Sequence, residues 1–108
     1  MDLANKRCTP CERGTPPLTR QQAEELLKDV AGWSLSSDGK SVTKMFAFKN
    51  YVQAMDFANK ITPIAEAEGH HPDLSIQWGK VRVELTTHSI EGLSENDFIL
   101  AAKIGKIA

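Results

Sequence analysis

The sequence predicts an α+β fold with elements in the order α-β-β-α-β-β-α: a four-stranded antiparallel sheet with three helices on one face. Three observations carry that expectation. Apolar residues recur at helical spacing in stretches at the start, middle and end of the chain. Between them lie two alternating stretches, each built around a turn signal, Asp38-Gly39 and Gly79-Lys80. In the second, Leu74, Ile76, Trp78, Val81, Val83 and Leu85 make an apolar face, while Arg82, Glu84, Thr86 and His88 share the opposite parity. A sheet of that kind is covered on one side only.

Residues 1–17 are punctuated by Pro10, Gly14, Pro16 and Pro17 and form an irregular arm ahead of a domain at 18–108. The first helix starts at Thr19, an N-cap with Gln22 three residues on. Ala23, Leu26, Leu27 and Val30 make its buried face, and Gly32 suits its end. In the first hairpin Val42, Phe46 and Phe48 share core parity, but so does Lys44, which places Lys44 near an edge or breaks the pattern. The middle helix is capped by Asn50 and ends at Gly69, with a kink or a separate last turn expected at Pro63. Its apolar residues, from Val52 to Ala65, spread too widely for one sheet contact and call for a second packed face, against another helix of this chain or of a second subunit. The last helix is capped by Ser94 with Asp97 at N3, and Phe98, Ala101, Ala102 and Gly105 form its stripe.

The chain has 108 residues, 41% of them hydrophobic, 25% charged, with a formal net charge of -1. That fits one globular domain, small enough to gain from self-association. No run of basic residues exceeds two, which argues against a phosphate-gripping nucleic acid binder and a polybasic membrane anchor. No apolar stretch approaches the ~20 residues of a transmembrane helix. The N-terminal stretch lacks a signal-peptide h-region, so a soluble, cytoplasmic protein is expected. Cys8 and Cys11 form a lone C-x-x-C. A zinc site needs about four ligands, and no second cysteine pair is present. The pair reads as two thiols on an arm; a zinc clip completed by another subunit, or a labile disulfide, are the alternatives.

All the histidines, His70, His71 and His88, flank the second hairpin, and Asp97 opens the last helix. Each has a plain structural role open to it. His70 can sit against the negative end of a helix dipole, and His71 can belong to a turn that Pro72 holds extended. His88 can be a solvated strand end, Asp97 a capping carboxylate and Glu66 a surface acid. Their clustering at element ends, where side chains converge without disturbing a core, instead indicates a site. Neighbouring helical residues point ~100° apart, so His70 and His71 make a poor chelating pair and no metal is expected, the alternative being zinc held by the three histidines and an acid where loops permit. No nucleophile elbow or phosphate-cradling loop is present. The constellation suits cofactor-free proton transfer near neutral pH.

The spacing Glu66-x3-His70-His71-Pro72-x5-Trp78-x9-His88-x8-Asp97, with GLSEND after the third histidine, resembles the pterin-4a-carbinolamine dehydratase family motif. The element order of residues 18–108 agrees with the family fold, and the arm resembles extensions on some bacterial members. The resemblance implies conversion of 4a-hydroxytetrahydrobiopterin, or a related tetrahydropterin, to the quinonoid dihydropterin plus water, in recycling the pterin of aromatic amino acid hydroxylases. It implies general-acid roles for His70 and His88, substrate holding by His71, and orienting roles for Glu66 and Asp97, with Pro72 and Trp78 completing the motif. Trp78 shares the parity of Leu74 and Ile76 and reads as structural before it reads as a stacking platform. A homodimer or homotetramer is implied. The alternatives are a dimerisation partner for a transcription factor, using the apolar surface of residues 51–65, and a dehydratase of another pterin pathway such as molybdopterin metabolism.

Overall fold

The computed structural model describes residues 3–10 and 13–108. After a 3-10 turn at Leu3–Asn5 come α1 (Arg20–Leu27), β1 (Ser34–Leu35), β2 (Val42–Ala47), α2 (Tyr51–Glu68), β3 (Asp73–Gln77) and β4 (Lys80–Leu85). A second 3-10 turn, His88–Ile90, leads into α3 (Glu95–Ile107). The antiparallel sheet has the order β1-β2-β4-β3, so β4 lies between the two longer-paired partners and β3 forms an edge. The expected α+β order is the observed one.

Strand alternation places Val42, Phe46, Val81, Val83 and Leu85 under the helices, all buried. Lys44 keeps core parity without entering the core. Its Nζ donates to the Ala31 carbonyl at 3.0 Å and lies 4.9 Å from the centroid of the Phe46 ring. The stem crosses Gly32, where a Cβ would meet Lys44 Cε and Nζ at 3.0 Å. The conflict in the strand pattern is therefore resolved by a cation that lies along the sheet margin, its stem on apolar surface and its charge on a carbonyl.

Thr19 and Gln22 form the expected capping box. Helix α1 ends earlier than its apolar spacing suggests. Asp29 and Val30 donate to Leu26 and Leu27 carbonyls in i to i−3 turns, and Gly32 takes φ +84. Val30 and Trp33 still reach the core from the turn. Helix α2 runs through Pro63, which is exposed, as one helix. Its broad apolar spread is used within the protomer, because α2 packs on both the sheet and α3. Ala54, Phe57, Ala58, Ile61 and Ala65 are buried, whereas Tyr51 and Val52 remain exposed.

Helix α3 is buried on more sides than its predicted stripe. Ile99, Leu100 and Ile104 join Phe98 and Ala101 in the core, while Gly105 is exposed. The reason is the N-terminal arm: its 3-10 turn packs on α3, and Leu3 is buried there. The arm also crosses Gly92, where Leu18 N–H donates to the Leu93 carbonyl at 2.8 Å. A Cβ at Gly92 would lie 2.7 Å from Pro17 Cβ. Gly92→Ala is therefore expected to cost about 1–3 kcal/mol through overpacking, read as a lowered thermal midpoint. A melting curve superimposable on wild type would refute that contact.

Candidate active site

Helix α2 ends in a left-handed cap at Gly69 (φ 64), and His70 N–H donates to the Ala65 carbonyl at 3.2 Å. That reversal sends His70 across to the first turn of α3. There His70 Nε2 meets Asp97 Oδ1 at 2.6 Å, with the His70 side chain 12% exposed and Asp97 fully buried. The second carboxylate oxygen of Asp97 accepts from Thr87 Oγ1 at 2.8 Å and from Ser94 N–H at 3.0 Å. Asp97 thus caps α3 and orients a histidine with the same side chain. With the carboxylate ionised, His70 Nε2 is the ring nitrogen that donates in this contact.

A cavity of about 490 Å³ opens beside this pair, lined by His70, Thr87, Ser89, Asn96, Glu66 and the arm residues Cys8, Thr9 and Pro10, among others. Ligand clefts of small-molecule enzymes have that size. A neighbouring cavity of about 730 Å³ is lined by Arg13–Pro17 on one side and His88–Glu91 on the other. Ser89 borders both cavities.

His71 lines neither cavity; its Nε2 pairs with Glu66 Oε2 at 2.5 Å on the surface. Both side chains are more than half exposed, a setting in which ion pairs contribute little. His88 sits in the 3-10 turn that follows β4, exposed, with Nε2 3.8 Å from Asp73 Oδ2. Asp73 follows Pro72 directly, so His88 comes to the same corner as residues 70–72. Trp78 occupies the β3–β4 turn, 68% exposed, at the other end of β3 from the histidines and outside both cavities. Cys8 is partly buried, and Cys11 lies outside the described residues. Among the described residues no group of three or more His, Cys, Asp and Glu side chains is placed to hold a metal ion. Nor is any helix among them long and apolar enough to cross a membrane.

Glu68 and Asn96 escaped the sequence reading. Glu68 Oε1 accepts from Cys8 N–H at 2.8 Å, its Oε2 pairs with Lys103 at 2.9 Å, and its side chain is only 5% exposed. A signal was available: a carboxylate in the last turn of a helix opposes the helix dipole, so it needs a specific partner. The Cys8 amide hydrogen bond and the Lys103 bond hold Glu68 below its ordinary value of 4.5. Burial, then the Glu68 charge, pushes the Cys8 thiol up from 9.0 to about 12. Both shifts bear on arm docking. A depressed acid stabilises the docked state above 4.5 and loses that effect as protons return; a raised thiol stabilises it below 9.0 and loses that effect toward 12. Docking is expected to hold between pH 4.5 and 9.0 and to weaken outside that window, with Arg7 and Lys103 the cations facing Glu68. Carbon chemical shifts of Cys8 and Thr9, followed across pH, check this.

The family model described as Pterin 4 alpha carbinolamine dehydratase matches residues 16–107. The chain belongs to that family. A Methylococcus capsulatus protein provisionally named pterin-4-alpha-carbinolamine dehydratase is 51% identical over 106 residues, covering 98% of this chain and 93% of its own. A Halorhodospira halophila protein of the same provisional name is 49% identical over 96% of this chain and 95% of its own. The solved structure of a transcriptional coactivator/pterin dehydratase from Brucella melitensis superposes with a TM-score of 0.80 at 33% identity, covering 85% of this chain and 98% of its own. A pterin dehydratase-like RuBisCO assembly factor of the alpha-carboxysome shares the fold, with a TM-score of 0.62 at 24% identity. In this pterin dehydratase family member, the match to the Methylococcus protein spans so much of the chain that it includes the arm, whereas the family model begins only at residue 16, near the arm's end.

Proposed function

We propose that the protein is a 4a-hydroxytetrahydropterin dehydratase, a carbon–oxygen lyase acting in tetrahydrobiopterin recycling in the cytoplasm. The observation that carries this reading is the buried Asp97 carboxylate fixing His70 at the edge of a ligand-sized cavity, within a domain of the pterin dehydratase family. Hydroxide leaves carbon poorly unless it receives a proton. In the proposed step the C4a–O bond breaks, the N5 lone pair forms the C4a–N5 double bond, and a protonated His70 delivers its proton to the departing oxygen. The N5 proton is then released, so water and the quinonoid dihydropterin form with no net proton change. A carbinolamine already dehydrates without help, and general acid–base catalysis of about 10²–10⁴-fold is the scale needed.

His88 approaches the same corner from a separate element and is proposed as the acid for the opposite face of the ring. His71, with Glu66, is proposed to hold substrate at the rim, and Pro72 to keep this segment extended. Ile76 and Met45 are exposed on the sheet, Trp78 in the β3–β4 turn, and Tyr51 and Val52 on α2, which supports a homodimer or homotetramer in which Trp78 makes contacts between copies.

The test is the decay of 4a-hydroxytetrahydropterin followed with and without the protein, on biopterin and on other pterin side chains. A decay unchanged by saturating protein on every pterin would rule out the dehydratase. His88→Ala is expected to slow the reaction of one C4a configuration more than the other. Equal slowing of both would remove the two-face assignment.

The Brucella relative is named a transcriptional coactivator as well as a pterin dehydratase. That dual name keeps a protein-binding reading open for this chain, with Tyr51 and Val52 as its exposed apolar contacts. Co-purification that returns only copies of this chain would count against it.

A further inference from the structure

The N-terminal arm borders both histidine-bearing cavities. Cys8, Thr9 and Pro10 line the one containing His70, and Arg13–Pro17 line the one containing His88. The arm is held there by specific bonds. Thr9 N–H donates to Asn96 Oδ1 at 3.0 Å, and Asn96 Nδ2 donates back to the Thr9 carbonyl at 2.5 Å. Cys8 N–H donates to Glu68, Lys6 pairs with Glu95 at 2.8 Å, and Leu3 anchors the start in the core. Asn96 itself is buried and directly precedes Asp97 on α3, so the side chain that grips the arm adjoins the one that orients His70.

We infer that arm residues 8–10 and 13–17 form a substrate-positioning wall, latched by Asn96 and Glu68, which holds a flat bicyclic ring against His70 and His88. This rests on the pterin dehydratase reading above. A reciprocal pair of amide hydrogen bonds fixes backbone position and direction, which a wall for a rigid ring requires and a loose tether does not. The family model starts at residue 16, beyond Cys8–Pro10. The role is positional: arm residues are given no part in moving the proton.

Cys8 supplies a reporter. In a full-length Cys11→Ser background, alkylation of Cys8 by iodoacetamide is followed by mass spectrometry, with 7,8-dihydropterin as the probe ligand. At ligand tenfold above its dissociation constant, alkylation is expected to slow about tenfold. Thr9→Pro deletes the donor to Asn96 from the exposed arm without touching the core, and Asn96→Ala deletes the grip from the other side. Each is expected to speed Cys8 alkylation in the absence of ligand. Each should also raise KM for 4a-hydroxytetrahydropterin roughly tenfold, with kcat changed much less. Dihydropterin binding that leaves Cys8 alkylation unchanged overturns the wall while leaving the dehydratase reading intact. So does a released arm with an unchanged KM. Failure of both substitutions to speed alkylation overturns the latch. No dihydropterin binding by the wild-type chain overturns the pterin reading, and the wall with it.

Discussion

His70→Ala is expected to lower kcat about 10²-fold or more for the C4a configuration that His70 serves, on the scale a positioned general acid supplies. Of the three histidines, His70 has its ring enclosed and one nitrogen held by a buried carboxylate; His71 and His88 are exposed. An oriented imidazole avoids the reorganisation that a solvated one must undergo before each proton transfer. His71→Ala, which removes a surface pair, is expected to cost less than about tenfold, because exposed pairs hold neither partner firmly. Stopped-flow decay of 4a-hydroxytetrahydropterin separates these outcomes. Retention of more than half the wild-type kcat by His70→Ala on both C4a configurations would end its assignment as the acid.

Asp97→Ala is the substitution expected to destabilise the fold most. The carboxylate is fully buried and serves His70, Thr87 and the Ser94 amide at once. Its removal takes away the N3 half of the α3 capping box and leaves buried polar groups without partners, a loss of about 3–4 kcal/mol. For a domain of this size that corresponds to a fall in thermal midpoint on the order of 10–20 °C. Asp97→Asn separates stability from chemistry. Its amide oxygen can still accept from Thr87 and Ser94, but its NH₂ then faces His70 Nε2 and selects the opposite tautomer. The expected result is a melting curve closer to wild type than that of Asp97→Ala, with kcat reduced as far as in His70→Ala. An Asn variant with full activity would show that the tautomer is not fixed by this contact.

Much of this architecture is legible in linear order because it rests on local rules. Thr19–Gln22, Asn50–Gln53 and Ser94–Asp97 satisfy helix N-termini over three residues, so a capping pattern marks each start. The alternation in Val81, Val83 and Leu85 follows from the pleat of one strand. Helix ends were less legible: α1 stops at Leu27 because the turn carrying Val30 and Trp33 must feed β1, a constraint set by the sheet. Lys44 broke the strand pattern because its partner, the Ala31 carbonyl, lies in a different element.

The linear pattern alone determined the α+β order, the helix caps, and the gathering of acids and imidazoles at element ends, because each follows from periodicity or a short fixed spacing. Tertiary structure alone decided that Asp97 is shared between a cap and His70, and that Glu66 lies on the surface while Glu68, two residues on, is enclosed. It alone decided, too, that the proline-rich N-terminus lies along the histidine cavities. Those outcomes depend on contacts between residues tens of positions apart, and no local preference encodes which distant donor will meet a carboxylate when the chain closes.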